Sequence, residues 1–163
     1  MTPGPRRILG IDPGSQATGY GIIDVRGGRI VPVAWGVIRT DAGDHFADRL
    51  AKIHRDLSDL IRMHRPTEAA VEKVFMAKNA ASALKLGQAR GAAIVTCRAH
   101  GVMIYEYSPK EIKVAATGYG AASKEQVSGM VCRILGIRDD LPADASDALA
   151  AAHCRAVTRS IGG

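Results

Sequence analysis

Apolar residues in the N-terminal quarter of the chain fall in short continuous or alternating runs, and beyond it they recur three and four apart. The run Arg7 to Ile11 and the run Tyr20 to Val25 predict two buried strands joined through a Pro13-Gly14 turn. Gly27-Gly28 then marks a tight hairpin into Arg29 to Ile38, where Val31, Val33, Trp35 and Val37 alternate onto one face. Pro32 cannot donate to a ladder, so this third strand is expected at a sheet edge, closing an antiparallel meander.

From His45 to Arg65, Phe46, Leu50, Ile53, Leu57, Leu60 and Ile61 keep helical spacing, with Asp44 placed to cap the start and Pro66 to stop the end. Glu68 to Phe75 predicts a fourth strand. After it, Ala80, Ala83, Leu84, Gly87, Gly91, Ile94 and Val95 trace one helix face. Each of the two glycines costs a helix about 1 kcal/mol against alanine, which suggests the close approach of another backbone, either the sheet or a second subunit. Val102 to Tyr107 predicts a fifth strand. Ser108-Pro109-Lys110-Glu111 and Ser123-Lys124-Glu125-Gln126 are capping boxes that open two helices, the second with Val127, Met130, Val131, Ile134 and Leu135 inward and Gly136 as its stop. An alanine-rich helix from Pro142 to about Arg159 ends the pattern. Its order implies a mixed α/β sheet with one antiparallel side.

The 163 residues suit one globular domain spanning 1–163. No run approaches the ~20 apolar residues of a membrane span, and the N-terminus lacks a signal-peptide core, so a cytoplasmic protein without membrane association is expected. Cys97, Cys132 and Cys154 show no metal or disulfide spacing. Net charge is +6, and the segment Lys73 to Arg98 contains Lys78, Lys85 and Arg90 but no acid, which points to a phosphate-facing surface. Lys124 in a helix's first turn opposes the helix dipole and points the same way.

Against this basic background four acids stand out. Asp12 ends an apolar strand, where it either opens the Asp-Pro-Gly turn or faces a site. Glu72 sits in another apolar strand, with pairing to Lys73 or an arginine as the alternative. Asp144 and Asp147, three apart, share one side of a helix's first turn, where an aspartate also serves as a cap. If the first and fourth strands pair in parallel, Asp12 and Glu72 become neighbours, and the terminal helix could bring Asp144 and Asp147 beside them. An oxygen-only set favours Mg²⁺ or Mn²⁺, and two such ions about 4 Å apart would clamp a phosphodiester for in-line hydrolysis.

Gly10-Ile11-Asp12-Pro13-Gly14-Ser15, Val71 to Asn79, Ser82 to Gly91 and Ala143 to Ala150 together resemble the bacterial RuvC family of Holliday-junction resolvases, in order and over nearly the whole chain. The resemblance implies a ribonuclease H-like fold, a homodimer, dependence on Mg²⁺ and paired symmetric nicks across a four-way DNA junction. It also implies a branch-migration motor complex as partner. By match to the family motifs, Asp12, Glu72, Asp144 and Asp147 are the expected catalytic and metal-binding acids. Lys113 and Lys124 are expected near the scissile phosphate, and Phe75 is expected to stack on a base at the opened junction. Lys78, Lys85, Arg90 and Lys110 are further expected DNA contacts. Asp12-Pro13-Gly14 with Thr18-Gly19-Tyr20-Gly21 also looks like the first phosphate loop of actin-like ATPases, which need two such domains where this chain has length for one. A junction-binding module without hydrolysis is the other alternative, against which four carboxylates beside bound phosphates count unless a cation lies between.

Overall fold

A computed structural model describes residues 4–74 and 78–158. Strands β1 (Arg6–Asp12), β2 (Ala17–Arg26) and β3 (Arg29–Arg39) form the antiparallel meander, followed by α1 (Phe46–His64), β4 (Glu68–Glu72), α2 (Ala80–Ala99) and β5 (Met103–Tyr107). Three helices complete the chain: α3 (Pro109–Thr117), α4 (Lys124–Leu135) and α5 (Ala143–Thr158). The sheet order is β3-β2-β1-β4-β5, with β1–β4 and β4–β5 parallel. β1 is therefore central and covered on both faces, which is why Ile8-Leu9-Gly10-Ile11 is a continuous apolar run rather than an alternating one.

Successive residues of the central strands feed two cores. Leu9, Ile11 and Ile22 pack with Leu57 and Ile61 of α1 and with Ala93 and Cys97 of α2. Ile8 and Ile23 point the other way, toward Ile112, Val131 and Leu149 of α3, α4 and α5. Fully burying each such aliphatic side chain contributes about 1.5–3 kcal/mol, so the two layers hold the sheet from both sides. Both capping boxes form: Ser108 and Ser123 accept from the backbone N–H of Glu111 and Gln126, whose side chains accept from the serine N–H groups in return.

Four local expectations are corrected. Gly27 and Gly28 both take positive φ, as the hairpin requires, and β3 lies at the edge. However, Ile22 pairs with Ala34 and Ile23 with Pro32, leaving Val33 as the extra residue of a β-bulge. Val33 and Ala34 consequently pack on one core and Trp35 on the other, so the expected Val31–Val33–Trp35–Val37 face does not exist. Asp44 does not cap α1; His45 holds that position with no side-chain cap, and the helix ends on Arg65 in the left-handed region rather than on Pro66 alone. The buried face of α2 is Ala89, Ala93, Thr96 and Cys97. Leu84 and Val95, expected on a packed face, are exposed, and a Cβ at Gly87 or Gly91 would meet nothing within 4 Å. The α4 interior is Val127, Val131 and Leu135, while Ile134 turns outward.

Candidate active site

Parallel pairing of β1 with β4 sets Ile11 against Val71, so the next residue of each strand, Asp12 and Glu72, stand side by side at the carboxyl ends of the two central strands. The Pro13-Gly14-Ser15 turn after Asp12 is held by other residues. Thr18 Oγ1 donates to Gly14 O (2.9 Å), and Arg49 Nη2 to Ser15 O (2.9 Å). Thr40 Oγ1 also donates to Ser15 O (2.5 Å), so the turn does not depend on the Asp12 carboxylate.

The helix carrying the other two acids lies directly on the β1–β2 surface, because that surface has no side chains where the helix crosses it. A Cβ on Gly19 would stand 1.9 Å from Asp144 O, one on Gly10 would stand 1.8 Å from Ala148 O, and one on Gly21 would collide with Leu149. The glycines and the alanines of α5 together let the two backbones touch, which lowers the first turn of α5 onto the ends of β1 and β4. Asp144 and Asp147 thereby enter a cleft of about 200 Å³ with Asp12 and Glu72. Lys113 from α3 and Lys124 from α4 complete its polar lining, and Ile112, Val127 and Ala150 form the apolar walls.

The electrostatics are those of an overcharged carboxylate cluster. Burial, then the charges of Asp147 and Asp144, an Asp144 side chain within hydrogen-bond reach, and the charge of Glu72 push the Asp12 carboxyl up to about 8. Glu72 is also raised, by burial and by Asp147, with Lys124 and Lys113 acting in the opposite direction. Lys124 Nζ lies 3.4 Å from Asp147 Oδ2, and the charges of Asp147, Asp12 and Glu72 hold its ammonium above the usual lysine range. Two lysines do not neutralise four half-buried acids. The donor set is oxygen only and the cluster stays net negative, so the residues fit a hard divalent cation. Among the described residues no three acid, histidine or cysteine side chains already stand as a preformed ligand group.

Six of the expected site residues are thus brought together: Asp12, Glu72, Asp144, Asp147, Lys113 and Lys124. Lys78 and Lys85 are exposed at the start of α2. Arg90 is turned toward β5 and paired with Glu106. Lys110 lies outside the acid cleft, lining a separate hollow with Val114 and Val157. Phe75 lies outside the described residues. Of the apolar walls, Val127 is inward by its helical spacing, but nothing in the sequence indicates that it, Ile112 or Ala150 borders the acids.

A mixed sheet with paired carboxylates on its two central strands, two more on a helix across them, and two lysines at the rim defines a ribonuclease H-like nuclease of the phosphoryl-transfer class. Residues 8–155 match the family model for the crossover junction endodeoxyribonuclease RuvC, and the chain belongs to that family. It is 53% identical over 154 residues to the crossover junction endodeoxyribonuclease of Oleidesulfovibrio alaskensis, covering 94% of this chain and 92% of that one. With the same enzyme of Geobacter sulfurreducens it shares 55% over 150 residues, covering 92% of both chains. The structure of T. thermophilus RuvC in complex with Holliday junction substrate superposes with a TM-score of 0.91 at 33% identity, over 96% of each chain. No described helix is long and apolar enough to cross a membrane.

Proposed function

We propose that this chain, acting as a single nuclease domain, is a cytoplasmic endodeoxyribonuclease that resolves four-way DNA junctions by hydrolysing phosphodiester bonds in paired, symmetric nicks. The observation that carries the reading is the meeting of Asp12, Glu72, Asp144 and Asp147, from three separate elements, in one cleft with Lys113 and Lys124.

The four carboxylates would hold Mg²⁺, two ions per site, with Mn²⁺ able to substitute. Bound divalent cations supply Lewis acidity and lower the pKa of an attacking water. Without that positive charge the cleft repels a phosphate, so the acids also make productive seating of DNA conditional on metal. Lys124, exposed at the rim and tethered to Asp147, is placed to move from that carboxylate to a non-bridging phosphate oxygen, and Lys113 of α3 adds a second positive charge. Exposed Lys78 and Lys85 extend the phosphate-binding surface along α2, and Phe75 is assigned to stacking on an unpaired base. Two coordinated cuts need two sites related by a two-fold axis, hence a homodimer. A branch-migration motor complex is the partner that would deliver the junction.

The test is cleavage of an end-labelled four-way junction and of a linear duplex of the same sequence, with Mg²⁺ and with chelator. Symmetric cuts in opposite strands, confined to the junction and abolished by chelator, are expected. Equal cutting of both substrates would remove junction selectivity, and binding without any Mg²⁺-dependent cutting would leave only a binding module.

A further inference from the structure

We infer that a second DNA-reading site lies on the outer side of the elbow between α3 and α4, where Tyr119 stacks on a nucleobase of the strand whose phosphate occupies the acid cleft. This rests on the nuclease reading above. Tyr119 is the one aromatic side chain that stands exposed among the described residues, at 62%. Its backbone is fixed: Gly118 caps α3 in the left-handed region, and Tyr119 N–H donates to Thr117 Oγ1 (3.1 Å), which itself donates to Lys113 O (2.8 Å). The fixed backbone limits the freedom lost on stacking to the two side-chain torsions of the ring.

The ring borders a hollow of about 400 Å³ shared with Gln126, Gly129, Met130 and Arg133. Gly129 is a bare floor, since a Cβ there would meet nothing within 4 Å. Glu125 and Arg133 balance each other at the rim, so the hollow suits a neutral planar group rather than a phosphate. Lysines stand on the two helices that this connection joins, outside the hollow itself. The aliphatic stem of Lys110 packs against Gly120, where a Cβ would stand 3.0 Å from its Cε, and Lys124 opens α4 on the cleft side. An aromatic platform among cations that track a backbone is the arrangement used for single-stranded nucleic acid. Lys113 and Lys124, which line the cleft, stand on the two helices joined by the connection that carries Tyr119, so a strand held by its phosphate in the cleft has that connection as its neighbour.

Junction affinity measured with Ca²⁺ in place of Mg²⁺, so that the carboxylates are neutralised and uncut junction is scored, for the wild type, Tyr119→Ala, Tyr119→Phe and Gly129→Leu, tests this. Tyr119→Ala should weaken binding on the order of 10-fold or more. Tyr119→Phe should bind as wild type. Gly129→Leu fills the hollow at an exposed helical position, so it should weaken binding while melting at or above the wild-type temperature. Wild-type affinity in Tyr119→Ala, or an equal loss in Tyr119→Phe, would overturn base stacking, and unimpaired binding by Gly129→Leu would overturn the hollow as its seat. Mg²⁺-dependent cutting by the wild type reports separately on the nuclease reading, so failure of one is distinct from failure of the other.

Discussion

Asp24 has no exposed side-chain surface and lies between two guanidinium groups, with Arg7 Nε 2.7 Å from Oδ1 and Arg26 Nη2 2.7 Å from Oδ2. Those hydrogen bonds and charges hold its carboxyl below the usual range despite burial. A carboxyl depressed in the folded state stabilises the fold above its unfolded pKa, near 4, and that contribution is lost as pH falls through the folded value. Asp24→Asn should therefore cost about 3 kcal/mol at pH 7, and its deficit relative to wild type should shrink in acid, as read by urea unfolding at both pH values. A constant deficit across pH would mean that shape, not charge, is what the pair contributes. At the cleft, Lys124→Gln should leave folding intact and junction affinity in chelator little changed, while Mg²⁺-dependent cutting falls by about 10²–10³. Equal losses in binding and cutting would make Lys124 an ordinary DNA contact. Asp12, Glu72 and Asp24 share the same sequence signature, an acid in an apolar strand. What separates Asp24 from the other two is the cross-strand position of Arg7, directly opposite it in the β1–β2 register, and that pairing is not written in either segment alone.

Element identities were legible because hydrophobic period, capping boxes and glycine turns all agreed at β1, β2, α3, α4 and α5. The β3 face was not, since a bulge inserts Val33 without changing the local apolar pattern. Nor was the direction of α2, whose residues are apolar on both sides, so periodicity could not choose between them. Asp144 and Asp147 were recognisable as a pair, yet what delivers them is the contact of α5 with glycines on two strands. That contact makes a specific prediction. Gly10→Ala and Gly19→Ala should each lower stability by about 1–3 kcal/mol through overpacking against the α5 backbone, as measured by denaturant unfolding. Gly19→Ala presses on the carbonyl of Asp144 itself, so it should depress cutting further than Gly10→Ala at matched folded fraction. The reverse order would show that the axial position of α5, rather than the seat of its first turn, controls the acids.

At the scale of the whole molecule, the charges and the apolar surface are divided between two tasks. Junction affinity drawn from phosphates should fall with salt at a slope near −0.9 per phosphate neutralised, and a flat dependence would exclude phosphate contact as its source. Apart from Lys85 and Arg98, the exposed side of α2 carries no charge. Leu84 and Val95 stand 67% and 65% exposed on this helix, and Gly87 and Gly91 leave bare backbone between them. Such a surface gains nothing within one chain, whereas a second copy laid across the glycines would bring two helix backbones close and cover both aliphatic side chains. Gly87→Glu tests this without touching the cleft. The new side chain enters open space and replaces a poor helix former, so the melting temperature should hold or rise. If the proposed homodimer uses this face, a pair of buried like charges should shift sedimentation toward monomer at concentrations where the wild type is dimeric. The catalytic consequence is sharper than a loss of rate. Each monomer keeps its own acids and lysines, so a supercoiled plasmid extruding a cruciform should accumulate in the nicked form instead of being linearised, because the second cut no longer follows within one binding event. Linear product at the wild-type proportion from a protein that sediments as a dimer would place the interface elsewhere on the molecule and leave the α2 surface to another partner.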